Sequence, residues 1–335
     1  MAPPGLQEEY HALRTDTGLL DFSSRVRLRI TGTERAKFLQ GIFTNDTDLL
    51  PPGHGLYGAV LTAKGKMQAD LTVYALSDWF WVDSEPEAAR LPNLLTRYTI
   101  GSDALVADLS TTHGLLGLYG PQAPRTLAAA FRNLLAPASD LAVTDAVWNG
   151  HPLIISEAGY PGTPGYKMLL PAGALEAARQ ALVAEGATTV GGEALETVRI
   201  ESGIPRFGAD MSEETFPPEA RIDDRAVSYT KGCYMGQETI ARIKTYGHVN
   251  RLLVGLLPET DQPIPRGTRL YHPDVTSVLR ENKEAGYVTS SVYSPALKRI
   301  IALGYVNRKI ETPGTGVTLG QDALIHATVA ALPFV

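Results

Sequence analysis

A single cysteine, Cys233, is the only thiol in 335 residues, and its solitude excludes an internal disulfide framework. The seven histidines are scattered, with no pair at metal-ligand spacing, so no structural zinc site is expected and no metal ligands are assigned. No apolar run approaches the length of a membrane span, and Met1 to Tyr10 shows no basic stretch leading into an apolar core; the expectation is a cytoplasmic chain with no membrane partner. Blocks of like charge are missing as well. With a formal charge of −6, bulk electrostatics gives no reason to expect nucleic acid as a partner. "GTPG" and "GHGLYG" lack the Lys-Ser/Thr of a phosphate-binding loop, and no Gly-x-Gly-x-x-Gly opens a helix after a strand, which argues against those nucleotide cofactors.

What is present is a folded, mixed pattern. Hydrophobic residues make up 44%, enough for a sizeable core, and the length suggests two or three domains at about 150 residues each. Val26, Leu28 and Ile30 alternate with Arg25, Arg27 and Arg29, the period of a half-buried strand. Ala36, Leu39, Ile42 and Phe43 then recur at helical spacing after a candidate cap at Thr33. Strands are expected around 59–61, 71–76 and 79–82, and a helix around 91–98. "GLLGLYGPQAPRTLAAAF" (114–131) repeats this strand, glycine turn and helix order, suggesting two related α+β halves. Trp148-Asn149-Gly150-His151 reads as a type I′ hairpin turn, and 174–185 and 193–201 as helices. From about Arg251, short β-rich runs separated by Pro and Gly suggest a small antiparallel barrel or sandwich. The expected division is 1–113, 114–245 and 246–335, with the first two free to interleave.

Three stretches carry candidate chemistry. In "TKGCYMGQE", Cys233 lies just ahead of a helical pattern starting near Gly236 (Ile240, Ile243, Tyr246), with Lys231 two residues upstream. A cation and a helix N-terminus both favour thiolate, whereas the plain alternative is a small buried side chain. Gly232 and Gly236 permit the backbone bends of a loop around a reagent. Around it, Arg221, Arg225, Lys231, Arg242, Lys244 and Arg251 outnumber Asp223, Asp224 and Glu238, which fits either a pocket for an anion or a solvated face. In "VRIESGIPRFGADM", Glu201 ends a helix and could accept two parallel N–H bonds from an amino-pyrimidine, or simply face solvent. In "LTAKGKMQADL", Asp70 enters a strand, as a turn partner or a ligand contact.

Together, "TGLLDFSSRVRLRITGTERAKFLQGIFTND", "LTAKGKMQADL", "RIESGIPRFGAD", "TKGCYMGQE", "ARIKTYGHVNR" and "AGYVTSSVYSPALKRIIALGYV" resemble the YgfZ family. These are folate-binding proteins of iron–sulfur cluster assembly and repair, homologous to the glycine cleavage T-protein, aminomethyltransferase. The resemblance implies a T-protein-like α+β fold with tetrahydrofolate in a central cavity and a C-terminal β-barrel. It implies Glu201 and Asp70 on the folate, Arg221, Gly232, Tyr234 and Gly236 shaping the binding site, and Cys233 poised by Lys231 at the lip of the cavity. Iron–sulfur enzymes or assembly factors would be transient clients of a monomer. Aminomethyltransferases carry Asp-Asp-Leu where this chain reads Ala69-Asp70-Leu71, which sets methylene transfer against the chain if the absent carboxylate is the catalytic one. The alternatives are a folate-dependent aminomethyltransferase and a non-catalytic folate-binding module.

Overall fold

The structure, a computed structural model, describes residues 4–132, 134, 136–272, 284–320 and 325–335. The expected α+β architecture is present, as two antiparallel-rich sheets and a closed barrel. The first sheet orders its strands Gly55–Leu61, Met67–Ala75, Phe80–Ser84, Val26–Thr31 and Leu105–Asp108. The second runs Thr188–Thr189, Gly18–Asp21, His113–Tyr119, Gly165–Pro171, His151–Glu157 and Val143–Trp148. The barrel closes through Arg251–Pro258, Arg299–Asn307, Glu284–Ser294, Arg269–Tyr271, Gly316–Leu319 and Ile325–Ala330. The repeated order is visible too: strand Val26–Thr31 leads to helix Arg35–Gln40, and strand His113–Tyr119 to helix Ala123–Ala130. Asn149 and Gly150 both take positive φ, 49° and 79°, the backbone a type I′ turn needs, and Trp148 pairs with His151 across it.

Two local expectations are corrected by packing. Thr33 does not cap the following helix: its N–H and hydroxyl both donate to Asp103, fastening the turn to the approach of the neighbouring strand. The strand Val26–Thr31 is not half-buried either. Arg29 is exposed, but Arg27 is fully buried, its guanidinium donating to the carbonyls of Ser23, Arg25 and Ser110. The second sheet covers the face that alternation assigned to water; Tyr74 and Trp81 of the first sheet share an apolar cluster with Leu115, Ile154 and Leu169 of the second.

The first two units interleave in space. Strand Gly18–Asp21 pairs with His113–Tyr119 and Thr188–Thr189, so an N-terminal segment belongs to the second sheet. Conversely Phe207, Met211, Ile222, Tyr234 and Ile240 return to the apolar core of the first sheet beside Leu39 and Leu71. Where these crossings and the barrel meet, they leave a central cavity of ≈ 970 Å³.

Candidate functional site

Asp70 reaches the cavity because its strand is amphipathic in a particular phase. Met67, Ala69, Val73 and Ala75 enter the apolar core of the first unit, Leu71 borders both that core and the cavity, and Asp70, Thr72 and Tyr74 line the cavity. Asp70 is only 8% exposed; the Tyr57 hydroxyl donates to its Oδ2 at 2.9 Å, and the Ser84 hydroxyl holds its main-chain carbonyl at 2.5 Å. Burial, reinforced by the nearby Glu85 charge, pushes the carboxyl up to about 7, against the opposing pull of the Tyr57 hydrogen bond and Arg25. The same alternation answers the Ala69 question. Position 69 points away from the cavity into hydrocarbon, so a second acid there would add nothing to the cavity wall in this fold.

Beside Asp70 stands a charged wall that the motifs did not disclose. Arg25 grips Asp83 with Nε and Nη2 at 2.8 and 2.9 Å and pairs with Glu85 through Nη1. Lys167, from the second sheet, donates to Asp83 Oδ2 at 2.5 Å. Burial alone would raise Asp83, but Arg25 and Lys167 outweigh it and hold the carboxyl below its ordinary range. The wall therefore joins the two sheets by charge. Tyr119 and Tyr160, which also line the cavity, stack with centroids 5.7 Å apart and offer a flat aromatic surface.

Glu201 is the principal correction. It is fully buried and faces away from the cavity, accepting from the Tyr10 hydroxyl at 2.8 and 3.0 Å, from the Ser294 hydroxyl at 2.5 Å and from Arg14. Burial and this carboxylate push Tyr10 up to about 12. Glu201 thus ties helix Pro4–Thr15 and barrel strand Glu284–Ser294 to its own helix, Gly192–Glu201. The carboxylates that this helix presents to the cavity are Glu193 and Glu196, the second bonded twice to Arg199 at 2.6 and 2.8 Å. Gly192, Glu193, Leu195, Glu196 and Arg199 follow helical spacing along one side, while position 201 lies on the reverse side; that periodicity was the available signal.

The cysteine box lies apart from the cavity. Cys233 is exposed and is absent from the cavity wall. Lys231 does not poise it: the side chain is buried, and its ammonium donates to the carbonyls of Phe43 and Asn45, each at 2.7 Å. Burial lowers Lys231 to about 8. Tyr234 is packed into the core of the first unit rather than against a ligand. Gly232 stands in open space, and Gly236 precedes helix Gln237–Tyr246 at φ +85°, where a Cβ would meet the Thr62 carbonyl at 2.5 Å. Arg221 does line the cavity, but its guanidinium is tied to the carbonyl of Leu253 at 2.9 Å and to Glu311 of the barrel unit at 2.5 Å. Of the expected site residues and the basic group around the cysteine box, the cavity wall therefore gathers Asp70, Arg221 and Arg225.

Comparison with known proteins places this geometry. Residues 2–231 match the GCVT N-terminal domain and residues 251–335 the glycine cleavage T-protein C-terminal barrel domain. The chain belongs to the glycine cleavage T-protein family. Among its relatives, an aminomethyltransferase of Frankia alni is 33% identical over 343 residues, covering 99% of this chain and 89% of that protein. One from Herpetosiphon aurantiacus is 30% identical, covering 98% and 90%. The crystal structure of the glycine cleavage system aminomethyltransferase T from Bartonella henselae superposes with a TM-score of 0.85 at 27% identity, covering 100% of this chain and 91% of that one. These matches establish the T-protein family; the narrower YgfZ resemblance rests on the motifs alone. No helix among the described residues is long and apolar enough to cross a membrane.

Proposed function

We propose that this chain is a folate-dependent one-carbon transferase of the aminomethyltransferase type, with a reduced folate in the central cavity and Asp70 as its acid–base group. The cavity falls within the size range of small-molecule sites and combines apolar and aromatic walls with many charged side chains of both signs. Its stacked tyrosines suit a planar ring, and Asp70, Glu85 and Glu196 suit an N–H-rich ring edge. Arg206 supplies an unmatched donor: its Nε is buried without a hydrogen-bond partner, 3.5 Å from the nearest Glu196 oxygen, and suits an acceptor on a ligand. Bound there, a reduced folate would supply the nitrogen atoms that accept a one-carbon unit. Tyr57 holds one carboxyl oxygen of Asp70, and burial sets the group to exchange a proton near neutrality, the useful range for general acid–base work.

The observation that carries this reading is Asp70, buried on the cavity wall with the Tyr57 hydroxyl on one carboxyl oxygen, where burial pushes the carboxyl up to about 7. It is tested by turnover with tetrahydrofolate and an aminomethylated lipoyl carrier, comparing wild type with Asp70→Asn while folate binding is measured by calorimetry. The expected result is a loss of about 10²–10⁴ in rate with binding retained. An inactive wild type, or an Asp70→Asn variant of full activity, rules the transferase out.

A second reading has one observation in its favour: Cys233, the only thiol, is exposed on a loop pinned by Lys231 and by the Met235 N–H to the Gly41 carbonyl. On this reading the folate-binding chain acts as a monomer that maintains iron–sulfur enzymes, its transient clients, through that sulfur. One thiolate cannot hold a cluster, so stable cluster binding would draw on outside thiols. Cys233→Ala should then fail to restore iron–sulfur enzyme activity in cells lacking the protein although it still binds folate; restored activity removes this reading.

A further inference from the structure

The wall that carries Asp70 holds a second carboxylate that none of the sequence motifs includes. Glu85 follows strand Phe80–Ser84, which pairs with the strand of Asp70, and both side chains line the central cavity. Ser84, the residue before it, bonds the main-chain carbonyl of Asp70, so the two segments are fixed against each other at this point. Glu85 is itself restrained. Arg25 Nη1 pairs with one of its oxygens, Arg206 Nη1 lies 3.9 Å from the other, and Arg25 cannot swing away because Asp83 grips it with both oxygens.

We propose that Glu85 is a positioning residue for Asp70, a fixed negative charge on the cavity wall that biases the Asp70 carboxyl toward its protonated form until a ligand arrives. The inference rests on the reading of Asp70 as the acid–base group of the cavity. The groups that bear on Asp70 come from four directions. Strand Gly55–Leu61 brings the Tyr57 hydroxyl, which donates to Oδ2 and favours the carboxylate. Helix Asp223–Ala226 brings Arg225, whose guanidinium sits over the Tyr57 ring at 5.9 Å. The turn before strand Val26–Thr31 brings Arg25, which also favours the carboxylate. Glu85 alone among these charged neighbours opposes it, and it acts in the same direction as burial. An N–H-rich or cationic ligand edge placed between the two carboxyls would relieve that opposition and release the proton.

The test is a ¹³C NMR titration of the Asp70 side-chain carboxyl in the ligand-free protein, with Asp70→Asn identifying the resonance. Wild type should titrate near 7, and Glu85→Gln about 1 pH unit lower, because a repelling charge is lost and Arg25 is freed to attract. Glu85→Asp, which keeps the charge, should return the midpoint toward that of wild type and also serves if the Gln variant folds poorly. An unchanged midpoint in Glu85→Gln, or a wild-type midpoint in the ordinary carboxyl range, overturns the inference. The readout involves no turnover, so an inactive wild type would remove the transferase reading while leaving the Glu85 effect to stand or fall by itself.

Discussion

Asp70 couples activity and stability to pH in opposite senses. Its folded carboxyl titrates near 7 against an ordinary value of 3.8, so between these limits the folded state binds more protons than the unfolded chain. Stability from this group is therefore lost as pH rises from about 4 to 7, while the ionised base becomes available. Asp70→Asn should be more resistant to urea than wild type at pH 8, by on the order of a few kcal/mol, and the gap should close as the pH falls toward 4. In the transfer assay, kcat/KM of wild type should rise through a limb near pH 7, and Tyr57→Phe should move that limb upward by removing a hydrogen bond to the carboxylate. Lys231 makes a contrasting case. Replacing it by Met should cost about 1–3 kcal/mol for each of the two buried carbonyls left without a donor, read from denaturant melts, and leave the alkylation rate of Cys233 unchanged. A slower alkylation would show that the ammonium does act on the thiol.

At the scale of single elements, the informative quantity is phase. In strand Met67–Ala75 the two-residue period decides that Asp70 meets the cavity and Ala69 the core, and this follows from the sequence once one cavity-facing residue is known. In helix Gly192–Glu201 the 3.6-residue period places Glu196 and Arg199 on one side and Glu201 on the other. The candidate the motif offered, Glu201, is the helix's last residue and lies off the cavity-facing side. Helix Gln237–Tyr246 is held weakly, with Ile240 as its fully buried side chain and Tyr246 89% exposed. Gly236 sets its entry. Gly236→Ala should cost more than about 1 kcal/mol and speed amide hydrogen exchange in 237–246 while the sheet cores keep their protection. Equal exchange in both proteins would mean that the helix start tolerates a Cβ.

For the molecule as a whole, the cross-links between units matter most. Glu201 joins the N-terminal helix, the central helix and the barrel through one buried carboxylate, with Arg14 as its cation. Glu201→Ala should lose about 3–5 kcal/mol of stability, because buried donors are left without their acceptor, yet bind folate normally at temperatures where it remains folded. Lost affinity in a fully folded Glu201→Ala protein would return this residue to the ligand site. The Arg25–Asp83–Lys167 wall is the corresponding bond between the two sheets, and it also forms part of the cavity.

Strands, helices, the Asn149-Gly150 turn and the β-rich C-terminal region were legible in the sequence because they depend on residues a few positions apart, through side-chain periodicity and local φ preferences. The family motifs extended that reading to a central cavity and to Asp70 on its wall. Which side chains share the cavity was decided by the tertiary structure: Asp83 and Lys167 stand 84 positions apart and meet only when the two sheets pack. Burial decided the rest. It made fasteners of Lys231, the expected partner of the thiol, and Glu201, the expected ligand contact, because a charged group removed from water must find partners wherever the fold supplies them.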